Sequence, residues 1–115
     1  MRVTLIAVLA GAALLCAVPA QGAATKKVTI GDNYFTPDTL KVKRGTTVKW
    51  EWPSFETAGD VHDVKLVKRP KGVKKFQSEA ASTDYSFKRK LKVPGVYKLA
   101  CTLHEEMRMT IRVRK

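Results

Sequence analysis

The sequence predicts an all-β chain folded as an antiparallel β-sandwich, and three observations carry that prediction. Apolar and polar residues alternate with period two through much of the chain, as in Thr47-Val48-Lys49-Trp50-Glu51-Trp52. Turn formers such as Gly31-Asp32-Asn33, Arg44-Gly45-Thr46 and Pro94-Gly95 cut this alternation into short runs. Beyond the N-terminal apolar run, no convincing amphipathic helix interrupts them. About seven to eight short strands around one core fit that pattern, and 115 residues leave no room for a second core.

Residues 1–22 read as a secretory signal peptide, with the folded domain in 23–115. Arg2 is the positive start, and Val3–Val18 is uncharged and shorter than the ~20 residues of a spanning helix. Val18-Pro19-Ala20 or Ala20-Gln21-Gly22 offers small residues for cleavage. Cys16 ends the apolar run, but Ala13-Leu14-Leu15 lacks the small residue that lipoprotein processing wants before the cysteine. The expectation is therefore an exported protein, periplasmic or extracellular.

Lys26–Ile30 is the first strand, and Tyr34–Pro37 is an extended piece that Pro37 confines to an edge or a bend. Leu40 and Val42 turn to a core while Lys41 and Lys43 turn to water. Val48, Trp50 and Trp52 share one face of the next strand. Pro53–Val61 is a loop, and His62–Val67 resumes extended structure. Lys68–Lys75 is a basic excursion, with Phe76 as a solitary apolar anchor and at most one helical turn expected in Gly72–Ala81. Tyr85–Val93, Val96–Cys101 and Met109–Val113 supply the remaining strands.

The chemistry concentrates near the C-terminus in Cys101-x2-His104-x2-Met107. Loss of the leader removes Cys16 and leaves Cys101 without a disulfide partner, so in an exported protein it is either buried or bound. Thiol, imidazole and thioether form a set soft enough for copper, short of a second histidine for a His2Cys site with a weak axial Met. His62 is the one other histidine. Strand parity puts Cys101 on the face of Tyr97 and Leu99, opposite Lys98, and so aims it inward. Met107 and Met109 share the parity of Ile111 and Val113, which does not separate them. Met109 reads as the first core residue of the last strand. Met107 belongs to the loop and is the expected ligand.

His62-Asp63-Val64, taken with Tyr97-x3-Cys101-x2-His104-x2-Met107, resembles the cupredoxins, the small type 1 blue copper proteins. The short Cys-x2-His-x2-Met loop is most similar to the amicyanin kind. The likeness extends over roughly residues 26–113 and includes Tyr34-Phe35-x-Pro37-x2-Leu40-x-Val42-x2-Gly45-Thr46-Thr47-Val48-x-Trp50 and Phe87-x5-Val93-Pro94-Gly95-x-Tyr97. The resemblance implies a Greek-key sandwich with one copper ion at one end. It makes His62, Cys101 and His104 the equatorial ligands and Met107 the long axial one. It also implies one-electron transfer between larger redox proteins through the exposed edge of His104.

Three features depart from the family pattern. Asp63 stands where Asn is common, and an anion there favours Cu(II) and lowers the potential unless hydrogen bonds, for instance from Thr102, neutralise it. Leu103 stands where amicyanin-like loops carry Pro, and adds a backbone N–H that can reach the thiolate. Glu105 and Glu106 lie beside His104, where an apolar docking patch is expected.

The formal charge of +12 points to redox partners of acidic character or to electrostatic contact with an anionic membrane surface. Nucleic acid is not expected, because an exported protein rarely meets it and the lysines are not interleaved with exposed aromatics. With only two histidines, both committed, no second copper centre of the oxidase or nitrite reductase kind can be built, so no enzyme activity is expected. The expected protein is a monomeric electron carrier. Copper delivery from the same site is the alternative.

Overall fold

The computed structural model describes residues 24–54 and 59–115. The expected signal peptide lies outside the described residues, as does 55–58 of the loop after Trp52. The described chain forms eight strands: β1 (Thr25–Gly31), β2 (Tyr34–Thr36), β3 (Thr39–Lys43), β4 (Thr46–Trp52), β5 (Lys65–Lys68), β6 (Tyr85–Leu91), β7 (Gly95–Ala100) and β8 (Arg108–Arg114). They build two four-stranded sheets, ordered β2-β1-β4-β6 and β3-β8-β7-β5.

Period-two patterning sets which face of each strand is buried. Along β4, Thr46, Val48, Trp50 and Trp52 are buried and the residues between them are half-exposed. Met109, Ile111 and Val113 do the same on β8. These inward rows meet Val28, Ile30, Phe87, Tyr97 and Leu99 in one continuous core between the sheets. Trp50 packs at its centre, with ring centroids 6.1 Å from Phe76 and 5.8 Å from Phe87. Pro37 follows β2, an edge strand, which is where a residue without an N–H is tolerated.

The structure departs from the expected pattern in two places. The sandwich is not antiparallel throughout: β1 pairs with β4, and β3 with β8, in parallel. The chain crosses from one sheet to the other at every step from β2 to β7, so most strands that neighbour in space are separated in sequence. These inter-sheet crossings are the connectivity of a Greek-key sandwich, and they free some pairs from hairpin geometry. The helical turn expected within Gly72–Ala81 is also absent. That segment runs extended along β5, with Gln77 bridging Lys65 and Ala81 bridging His62. Leu66 N donates to Phe76 O at 3.0 Å and Ser78 N to Val64 O at 2.8 Å. Satisfying an otherwise open strand edge while docking Phe76 against Trp50 outweighs one weak turn of helix.

Candidate metal centre

The site forms at one end of the sandwich, where β7 stops and the chain must return to begin β8. Cys101 directly follows β7, and its N–H donates to Met107 O at 3.0 Å. Met107 N donates in turn to His104 O at 3.1 Å. The Cys101–Met107 loop is therefore closed on itself by two backbone hydrogen bonds, a tight turn that carries all three side chains.

His62 reaches the loop from the opposite side. Its backbone exchanges two hydrogen bonds with Ala81, at 2.9 and 3.0 Å, and its carbonyl accepts from Trp52 Nε1 at 3.2 Å. Its side chain is fully buried. The donor atoms of His62, Cys101 and His104 all lie within 4.8 Å of one another. Donors bound to one ion at about 2.0–2.3 Å stand ~3.5–4 Å apart, and Cys101 Sγ is 4.0 Å from His62 Nδ1. The imidazole centroids of His62 and His104 are 4.7 Å apart. A buried thiol between two imidazoles fits a soft transition metal.

Asp63 ties the two halves of the site together. Its N–H points at Cys101 Sγ at 3.5 Å. Its carboxylate accepts from Thr102 N–H at 2.7 Å, from the Thr102 hydroxyl at 2.6 Å and from the Gln77 amide at 3.0 Å. Burial works to raise its pKa, but the Thr102 and Gln77 hydrogen bonds together outweigh burial and hold it below the ordinary value. The anion expected from the sequence thus sits in a cradle of donors, the condition under which its effect on the metal is reduced. The Cys101 thiol is pushed up by burial. The N–H groups of Asp63 and Leu103 oppose that shift, and the Asp63 charge adds to it. The Leu103 N–H anticipated from the missing proline thus acts on the thiol in the expected direction.

A carboxyl with a lowered folded pKa stabilises the fold above its unfolded value of about 3.9, and that contribution fades as pH falls through the folded value. Thr102→Val removes the hydroxyl donor and brings the folded pKa back up. The metal-free variant is expected to lose about 1.5–3 kcal/mol at neutral pH and to unfold at higher pH on acid titration. An unchanged acid midpoint would show that the cradle does not hold the charge.

Met109 and Met107 separate on structural grounds. Met109 lies in β8, opposite Leu99, and its Sδ accepts from Trp50 Nε1 at 3.3 Å. Met107 lies in the loop outside any strand and is completely buried. Sequence reasoning missed two carboxylates that face the histidines. Asp32 Oδ1 stands 3.9 Å from His62 Nε2, and Asp60 Oδ2 stands 3.7 Å from His104 Nε2. They come from separate turns, and no local motif marks them. Gly59, at φ +65°, brings these turns together, since a Cβ there would meet the Asp32 carboxyl at 2.8 Å.

Solved structures similar to this one share its sandwich and include copper proteins. Pseudoazurin from Hyphomicrobium denitrificans matches with a TM-score of 0.65 at 25% identity, covering 80% of this chain and 77% of that one. A point mutant of amicyanin in its reduced Cu(I) form matches with a TM-score of 0.64 at 25% identity, covering 83% and 85%. A Cu-containing nitrite reductase from Thermus scotoductus shares the fold with a TM-score of 0.67 at 24% identity, and the chain spans 22% of that protein's length. No curated protein matches the sequence. The profile of the copper binding proteins, plastocyanin/azurin family, matches residues 22–114. On that match, this chain belongs to the plastocyanin/azurin family of copper-binding proteins.

Proposed function

We propose that the protein is an exported one-electron carrier holding one copper ion between His62, Cys101 and His104, with Met107 as the weak fourth ligand. The convergence of one buried thiol and two imidazoles carries this reading. Met107 is favoured over Met109 because the Met109 sulfur already accepts from the Trp50 indole. Copper, when bound, supplies a Cu(I)/Cu(II) couple that thiolate and imidazole together tolerate.

The residues around the site suit repeated redox cycling. The bridge between His62 and Ala81, the closed Cys101–Met107 loop and the Asp63 cradle restrain the ligands from three directions. Ligands that cannot rearrange keep the cost of changing charge low. Of the two histidines, His104 is the one with an exposed edge, its side chain 18% accessible against 0% for His62. It is flanked by exposed Val61 and Leu103, 41% and 54% accessible, which form the apolar rim that Glu105 and Glu106 put in question. A redox partner would dock there, with Asp60, Glu105 and Glu106 outside the rim. Both histidines serve this one centre, so the reading is a carrier and not an enzyme.

Addition of Cu(II) to the protein is expected to produce intense visible absorption from thiolate-to-Cu(II) charge transfer, with a reversible one-electron wave. A colourless product would sink the electron-carrier reading. Colour without reversible redox, with ready release of the metal, would favour copper delivery.

A further inference from the structure

The β3-β8-β7-β5 sheet presents an outward face that carries cations and no compensating acid. None of its four strands contains Asp or Glu. The pairing register sets like charges directly across from one another: Lys41 against Arg112, Lys43 against Arg114, and Lys68 against Lys98. All six side chains are exposed, and none forms an ion pair among the described residues. Directly opposed like charges cost stability in a sheet. The other sheet also sets Lys27, Lys49 and Lys88 in register, but there an outward acid compensates: Glu51 binds Lys27 and Lys49, each at 2.9 Å.

We propose that this cationic face adsorbs the protein on an anionic lipid bilayer. Three features favour lipid over an acidic protein. The charge is spread over a four-stranded face instead of being gathered into a pocket. The face lacks the buried aromatic anchors that give a protein interface its affinity, Val67 being its one large exposed apolar residue. Long Lys and Arg side chains reach a planar headgroup layer without needing fixed acceptor positions. Adsorption in this pose leaves the metal end free, because Cys101 and Met107 lie beyond the strand ends and not on the face. The protein would then search for membrane-bound redox partners in two dimensions. The proposal does not depend on copper being bound.

Vesicle co-sedimentation tests it, using phosphatidylcholine alone and phosphatidylcholine with about one-third phosphatidylglycerol. The protein should bind only the anionic vesicles, and added salt should release it. Replacing Lys41, Lys43, Arg112 and Arg114 together by Gln should weaken partitioning about 100-fold or more, given about fivefold per cation at the surface. Lys74→Gln/Lys75→Gln/Lys88→Gln/Lys90→Gln removes equal charge elsewhere and should cost less than about tenfold on the same scale. The face variant should also unfold at an equal or higher temperature than the parent, which separates lost binding from lost folding. Equal losses in both variants would reduce the effect to net charge and overturn the proposal. Failure to bind anionic vesicles, or binding to polyglutamate alone, would overturn it as well.

Discussion

Replacing Cys101 with serine is expected to abolish the visible absorption of the copper-loaded protein completely. The thiolate is the one soft anionic donor at the site, since Cys101 is the free cysteine of the described chain and lies between the His62 and His104 imidazoles. A serine hydroxyl is harder and does not ionise near neutral pH, so neither charge transfer nor strong Cu(I) binding survives. The fold should tolerate the change, because oxygen for sulfur shrinks a 3%-exposed position only slightly. The same spectra rank the other ligands. His62→Ala opens the buried side and should bleach the band. Met107→Leu should keep the colour but shift the band and the potential, whereas Met109→Leu should leave both nearly unchanged. The reverse ranking of the two methionines would show that the indole-to-sulfur contact of Met109 is not what decides the axial position.

The sequence marked the candidate ligands more clearly than the frame around them. Cys101, His104 and Met107 stood out as candidates because three ligand types fall within one loop, and strand parity aimed the thiol inward, where it is buried. His62 was legible by scarcity alone. Its placement depends on Trp52 and Ala81, contacts that no local pattern announces. Alternation likewise identified which residues of β3, β4 and β8 turn inward, but it says nothing about the neighbour of each strand. The parallel pairs β1·β4 and β3·β8 arise from crossings between sheets, and a period of two is the same for parallel and antiparallel partners. Gly72–Ala81 was misread for the same reason: its backbone is satisfied by β5, far from it in pattern though near in sequence.

Trp50→Ala is expected to be the most destabilising single change in the core. Trp50 is fully buried at the centre of the sandwich, pairs with Val28 and Phe87 on either side, and is the largest of the fully buried side chains. Truncating a large aromatic at such a position costs about 3–5 kcal/mol, from lost transfer energy and from the cavity left behind. Against a total stability of about 5–15 kcal/mol, this is a large share. For a domain this small it corresponds to a fall of roughly 15–30 °C in the thermal midpoint. Trp50→Phe keeps most of the apolar volume and removes the indole N–H, whose acceptor is only the weak Met109 sulfur. It should therefore cost well under half as much. Thermal unfolding of the metal-free proteins measures both. Comparable losses would mean that the indole-to-sulfur contact, and not aromatic burial, holds the centre of the sandwich. The consequence would extend toward the metal site, because that contact also holds the Met109 sulfur in the core, two residues beyond the Cys101–Met107 loop.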